Sequence, residues 1–124
     1  TLIFMNIDQF RDYCLLKRGV SEHLPFGPDN LVFKVMGKMF SIASLDEVPL
    51  RVNLKCDPEW AVQLREEYPE TILPGWHMNK RHWNTLVMDG GADPELTRKL
   101  IDHSYELVVA GLTRKLKQEL DSLE

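Results

Sequence analysis

At 124 residues, with 44% hydrophobic and 27% charged side chains, the chain has the size and composition of one domain able to bury a core without disulfides or metal. This excludes a disordered tail or a fibrous repeat as the dominant state, and no period of 20 to 50 residues marks a repeat architecture. The formal charge of −4 argues against indiscriminate phosphate binding, so any nucleic-acid role needs a local basic face.

Thr1–Phe4 is apolar but too short for a signal core and lacks a basic region, so Met5 reads as a natural start with four residues upstream of it. Asn6 then caps a helix running from about Ile7 to Arg18, with Gln9 placed for a capping box and Ile7, Phe10, Tyr13 and Cys14 on one face. Lys17-Arg18-Gly19 closes it with cations at the negative end of the helix dipole. Pro25, Gly27, Pro28, Asp29 and Asn30 make a loop. Leu31–Met36 and Met39–Ala43 flank Gly37-Lys38, which predicts a hairpin with a type II′ turn. In Leu50–Lys55, alternation turns Leu50, Val52 and Leu54 to the core and Arg51, Asn53 and Lys55 to solvent.

Asp57-Pro58-Glu59 starts a second helix, with Trp60, Ala61 and Leu64 as its buried stripe and Tyr68-Pro69 as its end. Ile72–Gly75 reads as a turn, Trp76–Asn79 as a strand by its alternation, and Thr85–Met88 as a second, more apolar strand. Asp93-Pro94-Glu95 opens a long terminal helix bent at Gly111, whose last turns, in a tail from 113 to 124, have too few apolar positions to pack deeply. The order is helix, three strands, helix, two strands, helix. With short connections it predicts a single α+β domain over residues 1–124: an antiparallel sheet of about five strands flanked by helices.

Residues 75 to 91 gather Trp76, Trp83, His77, His82, Asn79, Asn84, Lys80 and Arg81 between two turns, yet match no catalytic signature. His77, His82 and Asp89 have the spacing of neither helical nor zinc-finger ligands, so no metal is expected. Cys14 and Cys56 read as buried free thiols, which suits a reducing, cytoplasmic compartment. Cys56 abuts a helix N-terminus, where a thiol pKa falls, but has no partner base. No catalytic residue, cofactor or membrane span is expected.

Charge is unevenly distributed. Residues 31–56 carry Lys34, Lys38, Arg51 and Lys55 against Asp46 and Glu47, and residues 75–91 carry Lys80 and Arg81 against Asp89; every other region is acidic. With cations on strands and hairpin tips and acids on helices, these six cations could track phosphates of double-stranded DNA. Trp76, His77, His82 and Trp83 would then stack, and Asn79 or Asn84 reach a base edge. The same charges can instead only solubilise sheet edges. A rival arrangement has His77, Asn79, Trp83 and Asn84 lining a pocket for a small molecule or a protein partner.

His77–Thr85, Ser104-Tyr105-Glu106-Leu107-Val108 and Phe33–Phe40, in that arrangement, resemble the MmcQ/YjbR-like family of small bacterial proteins over Met5 to Leu112. The resemblance implies a CyaY-like sheet flanked by helices, and a double-wing role in which two β-hairpins grip a DNA duplex. The first wing would be the hairpin around Gly37-Lys38 and the second the segment around Lys80-Arg81-His82. A frataxin-like iron role would need a dense acidic ridge, whereas helix one offers only Asp8 and Asp12.

Overall fold

The computed structural model describes residues 5–123, so the reading of Thr1–Phe4 as upstream residues lies outside the described residues. The elements are α1 (Ile7–Leu15), β1 (Val20–His23), β2 (Asn30–Val35), β3 (Lys38–Ser44), β4 (Arg51–Lys55), α2 (Pro58–Glu67), β5 (Ile72–Pro74), β6 (Trp83–Val87), α3 (Pro94–Ala110) and α4 (Arg114–Asp121). The class is α+β, as the sequence implies. The sheet has six strands rather than about five, in the order β1-β2-β3-β4-β6-β5, every neighbour antiparallel.

Local signals set the helix starts. Asn6 and Gln9 form both bonds of the capping box, at 2.9 and 3.0 Å. Asp57 and Asp93 accept from Trp60 and Leu96 amides, with proline at the next position. The ends differ from expectation. Helix α1 stops at Leu15, and the chain doubles back into β1, an edge strand whose Ser21, Glu22 and His23 gave no apolar pattern to read. The terminal helix is two helices: Gly111 ends α3, and Thr113, accepting from the Leu116 amide, caps α4. As its few apolar positions imply, α4 docks by one edge only, with Leu120 buried against the corner formed by Gly19 and Met36, Leu116 half-buried and its other positions exposed.

The first hairpin turns one residue earlier than predicted. Met36 and Gly37 both have positive φ, 50° and 83°, the signature of a type I′ turn, and Lys38 already pairs with Val35. Between Met39 and Ser41, Phe40 has no partner on β2: it is a bulge that turns Phe40 and Ser41 both inward. The second hairpin is also displaced. Ile72–Pro74, read as a turn, forms edge strand β5, where a proline is tolerated, while Trp76–Asn79, read as a strand, is loop.

Pairing register sends Leu31, Phe33, Ala43, Val52, Leu54, Ile72 and Leu86 to one face. Helices α1, α2 and α3 cover that face and close one core: Phe10 meets Phe33 edge-on at 5.9 Å, and Tyr105 meets Phe40 at 5.6 Å. Trp60 lies at its margin, half-buried and edge-on to His103 at 4.6 Å, rather than inside it.

Candidate nucleic-acid interface

Among the described residues, the opposite face carries no helix. Register places on it Ser21 and His23 of β1, Asn30, Val32 and Lys34 of β2, Met39, Ile42 and Ser44 of β3, and Arg51, Asn53 and Lys55 of β4. Trp83, Thr85 and Val87 of β6 and Leu73 of β5 complete it. None of these positions is a carboxylate, and Lys34, Arg51 and Lys55 are all half-exposed there. The alternation in Leu50–Lys55 thus assigned its faces correctly.

The other predicted cations lie elsewhere. Lys38 pairs with core-facing Val35, so it stands on the helix-bearing side of the hairpin tip. Lys80 and Arg81 are exposed on the loop 75–82, where Lys80 Nζ donates to the Gly75 carbonyl at 3.1 Å and Arg81 lies beside Glu59 and Val62 of α2.

That loop is tied down at several points. Gly75 crosses so close to β6 that a Cβ there would lie 2.8 Å from the Trp83 Cβ and carbonyl oxygen, so only glycine fits. The Trp76 amide donates to Thr85 Oγ1 at 2.9 Å, and Asn53 Nδ2 donates to the Trp76 carbonyl at 3.1 Å. Thr85 also donates to Asn53 Oδ1, so two side chains of the open face hold the loop against it. The Cys56 amide donates to the His82 carbonyl, and Arg65 donates to the Lys80 carbonyl. Trp76 is half-exposed beside Arg51 and Asn53, its ring 4.4 Å from the His77 ring. Asn79 folds its side-chain oxygen onto the Arg81 amide.

Asn84 is a correction. Register turns it to the helix side, where it is buried and donates to the Ala61 carbonyl at 3.4 Å, so it cannot reach a base edge. Trp83, one residue earlier, is on the open face. His77 and Asn79 are exposed on the loop, and these four residues do not line a common cavity as the rival reading requires. Sequence reasoning missed Asn53 and Thr85 as loop anchors, because nothing local signals which strand the loop will cross.

Ends of the sheet differ as sharply as its faces. The β2–β3 turn and the loop 75–82 leave the same end, about 14 Å apart by three strand spacings. At the other end, the loops 24–29, 45–50, 68–71 and 88–93 hold Asp29, Asp46, Glu47, Glu70, Asp89 and Asp93 and not one lysine or arginine. The charge division therefore runs along the strands as well as across the sheet.

Catalytic chemistry gains little support. Burial pushes both thiols up to about 12, so the helix N-terminus does not activate Cys56. His77 and His82 lie at one end of β6 and Asp89 beyond the other. Among the described residues no group of three metal-ligating side chains comes together, and no helix is long and apolar enough to cross a membrane.

Comparison with known proteins gives consistent relatives. The YjbR family model matches residues 15–107. An Escherichia coli O157:H7 protein named uncharacterized protein YbdF is 44% identical over 92 residues, 73% of this chain and 74% of that one. Uncharacterized protein YjbR of Escherichia coli K12 is 29% identical over 119 residues, 96% of this chain and all of its own. The crystal structure of Deinococcus radiodurans protein DR2400, with the family-model domain DUF419, superposes with a TM-score of 0.90 at 36% identity, covering 97% of this chain and 91% of its own.

Proposed function

The chain belongs to the YjbR family, and from that footing we propose that it is a cytoplasmic protein that binds double-stranded DNA, with the helix-free sheet face as its contact surface and two loops as wings. The observation that carries the reading is the carboxylate-free face bearing Lys34, Arg51 and Lys55, at whose one end both loops project. Phosphates meet those three side chains, while Trp76 and His77 offer exposed rings on the second wing. Lys38, Lys80 and Arg81 flank the duplex from the tips rather than the face, and Lys80 is partly engaged with its own loop. Binding, not turnover, is the proposed activity, and it needs no cofactor.

Six candidate cations make a modest electrostatic contribution, so affinity depends steeply on salt without being high. The test is a fluorescence-anisotropy titration of a generic duplex at several salt concentrations. Replacing Lys34, Arg51 and Lys55 together by glutamine is expected to reduce the log–log salt slope by up to about 2.7, roughly 0.9 per lost phosphate contact. Lys80→Ala with Arg81→Ala is expected to weaken binding and flatten the slope by less. An unchanged slope in the triple variant would overturn the proposal.

A further inference from the structure

A ligand-sized cleft of about 510 Å³ opens at the acidic end of the sheet, between the start of α1, the β3–β4 loop and the segment after β6. It is separate from the basic face, at the far end of the strands from both wings. Its walls are mostly apolar, formed by Ile7, Val48, Pro49, Leu50 and Met88. A cleft of this size and lining is of the kind that takes small organic molecules. Val48, at 95% exposure, stands on its rim, and among the described residues no packing partner accounts for an apolar side chain there.

Its polar groups select among ligands. Glu47 and Asp89 are the charged residues of the lining, both carboxylates. Asp89 is held in place, accepting from the Gly91 amide at 2.9 Å. The remaining polar side chain, Asn6, accepts the Gln9 amide through its oxygen, while its backbone amide donates to the Gln9 side chain. The surrounding loops add Asp29, Asp46, Glu70 and Asp93 and no cation. An anionic ligand would find no cationic side chain in the lining, only the positive end of α1, already capped by Asn6 with Asp8 in its first turn, whereas a cation with a large apolar body would satisfy walls and rim together. We infer that this cleft binds a lipophilic organic cation, an amine or quaternary ammonium carried on a bulky hydrocarbon body. Its occupation leaves the helix-free face open, so the two surfaces work independently.

The matched ions tetraphenylphosphonium and tetraphenylborate, alike in shape and opposite in charge, separate the alternatives by isothermal titration calorimetry of the full chain. The phosphonium is expected to bind one to one and the borate about tenfold more weakly or not at all. Glu47→Gln should weaken the phosphonium by a factor of about 2 to 5. Leu45→Arg, at a lining position 40% exposed, should weaken it at least as much while leaving the melting temperature unchanged. Equal binding of both ions would mean an apolar cleft without charge selection and would overturn the inference. So would absence of phosphonium binding at about 1 mM, or indifference to both substitutions. Binding seen only in a chain that starts at Met5 would make residues 1–4 the natural competitor, and would overturn it as well.

Discussion

Ser104 joins three parts of the backbone with one hydroxyl. It donates to the Phe40 carbonyl at 2.6 Å, beside the bulge, and accepts from the Lys55 amide at 2.9 Å, which positions the end of β4. Its neighbour Tyr105 donates to the Arg18 carbonyl at 2.7 Å and fixes the entry to β1. These residues belong to a motif that the sequence offers as a family mark, and they brace the sheet end from which the β2–β3 turn and the loop 75–82 leave. Ser104→Ala orphans a donor and an acceptor in the interior, so a loss of roughly 2–4 kcal/mol is expected, read from the urea midpoint at constant slope. His103 illustrates a proton-linked case. Burial lowers its pKa below 6.5, against the pull of Asp57 and Glu106, and its Nε2 accepts from the Asp57 amide at 3.0 Å, which requires the neutral ring. The unfolded chain therefore takes up the proton first as pH falls. Stability is expected to be flat above about pH 6.5 and to decline below it, levelling off once the folded ring also titrates. Melting curves from pH 8 to 5 on the native chain and His103→Gln check this, the variant showing the shallower decline.

Elements were legible where their signal is local. The capping box and Asp-Pro starts, the alternation of β4 and the glycine at the first hairpin each need only a few adjacent residues; the caps and the β4 faces appear where expected, and the hairpin turns one residue earlier, on Met36-Gly37. What failed depends on partners distant in sequence. Strands β1 and β5 are edge strands whose single neighbour tolerates Ser, Glu and Pro, so neither carries the apolar alternation of a half-buried strand. The face occupied by Asn84 and Lys38 follows from register, in which a one-residue shift moves every side chain to the other side. Three of the six cations proposed from sequence occupy one continuous face; register turns Lys38 away from it, and Lys80 and Arg81 stand on the loop 75–82. The terminal segment reads as one bent helix because Gly111 ends α3 and Thr113, two residues on, caps α4. Leu120→Ala tests whether α4 is integral: a cost of about 2–4 kcal/mol is expected for a buried leucine. A change below about 0.5 kcal/mol would make α4 the loose tail its composition suggests.

At the scale of the whole molecule, one architecture separates two kinds of surface. Helices seal one side of the sheet and leave the other side open; the antiparallel order then sends the β2–β3 turn and the loop 75–82 to one end and six carboxylates to the other. A protein with a net charge of −4 can still present a cationic surface, because its acids are displaced from that surface rather than absent. On the proposed DNA-binding reading, steering is expected from the same geometry: a duplex approaching the acidic end would be repelled and one approaching the open face drawn in, at rates that fall as salt rises. The most direct measurement is a map of backbone amide shifts in ¹⁵N-labelled protein as a short duplex is added at low salt. The account expects the largest shifts along β2 and β4, at Met36–Lys38 and across residues 75–82, with the loops 24–29 and 45–50 unmoved. Shifts concentrated at those acidic loops or on α2 and α3, or none under conditions where the labelled protein stays folded, would contradict it.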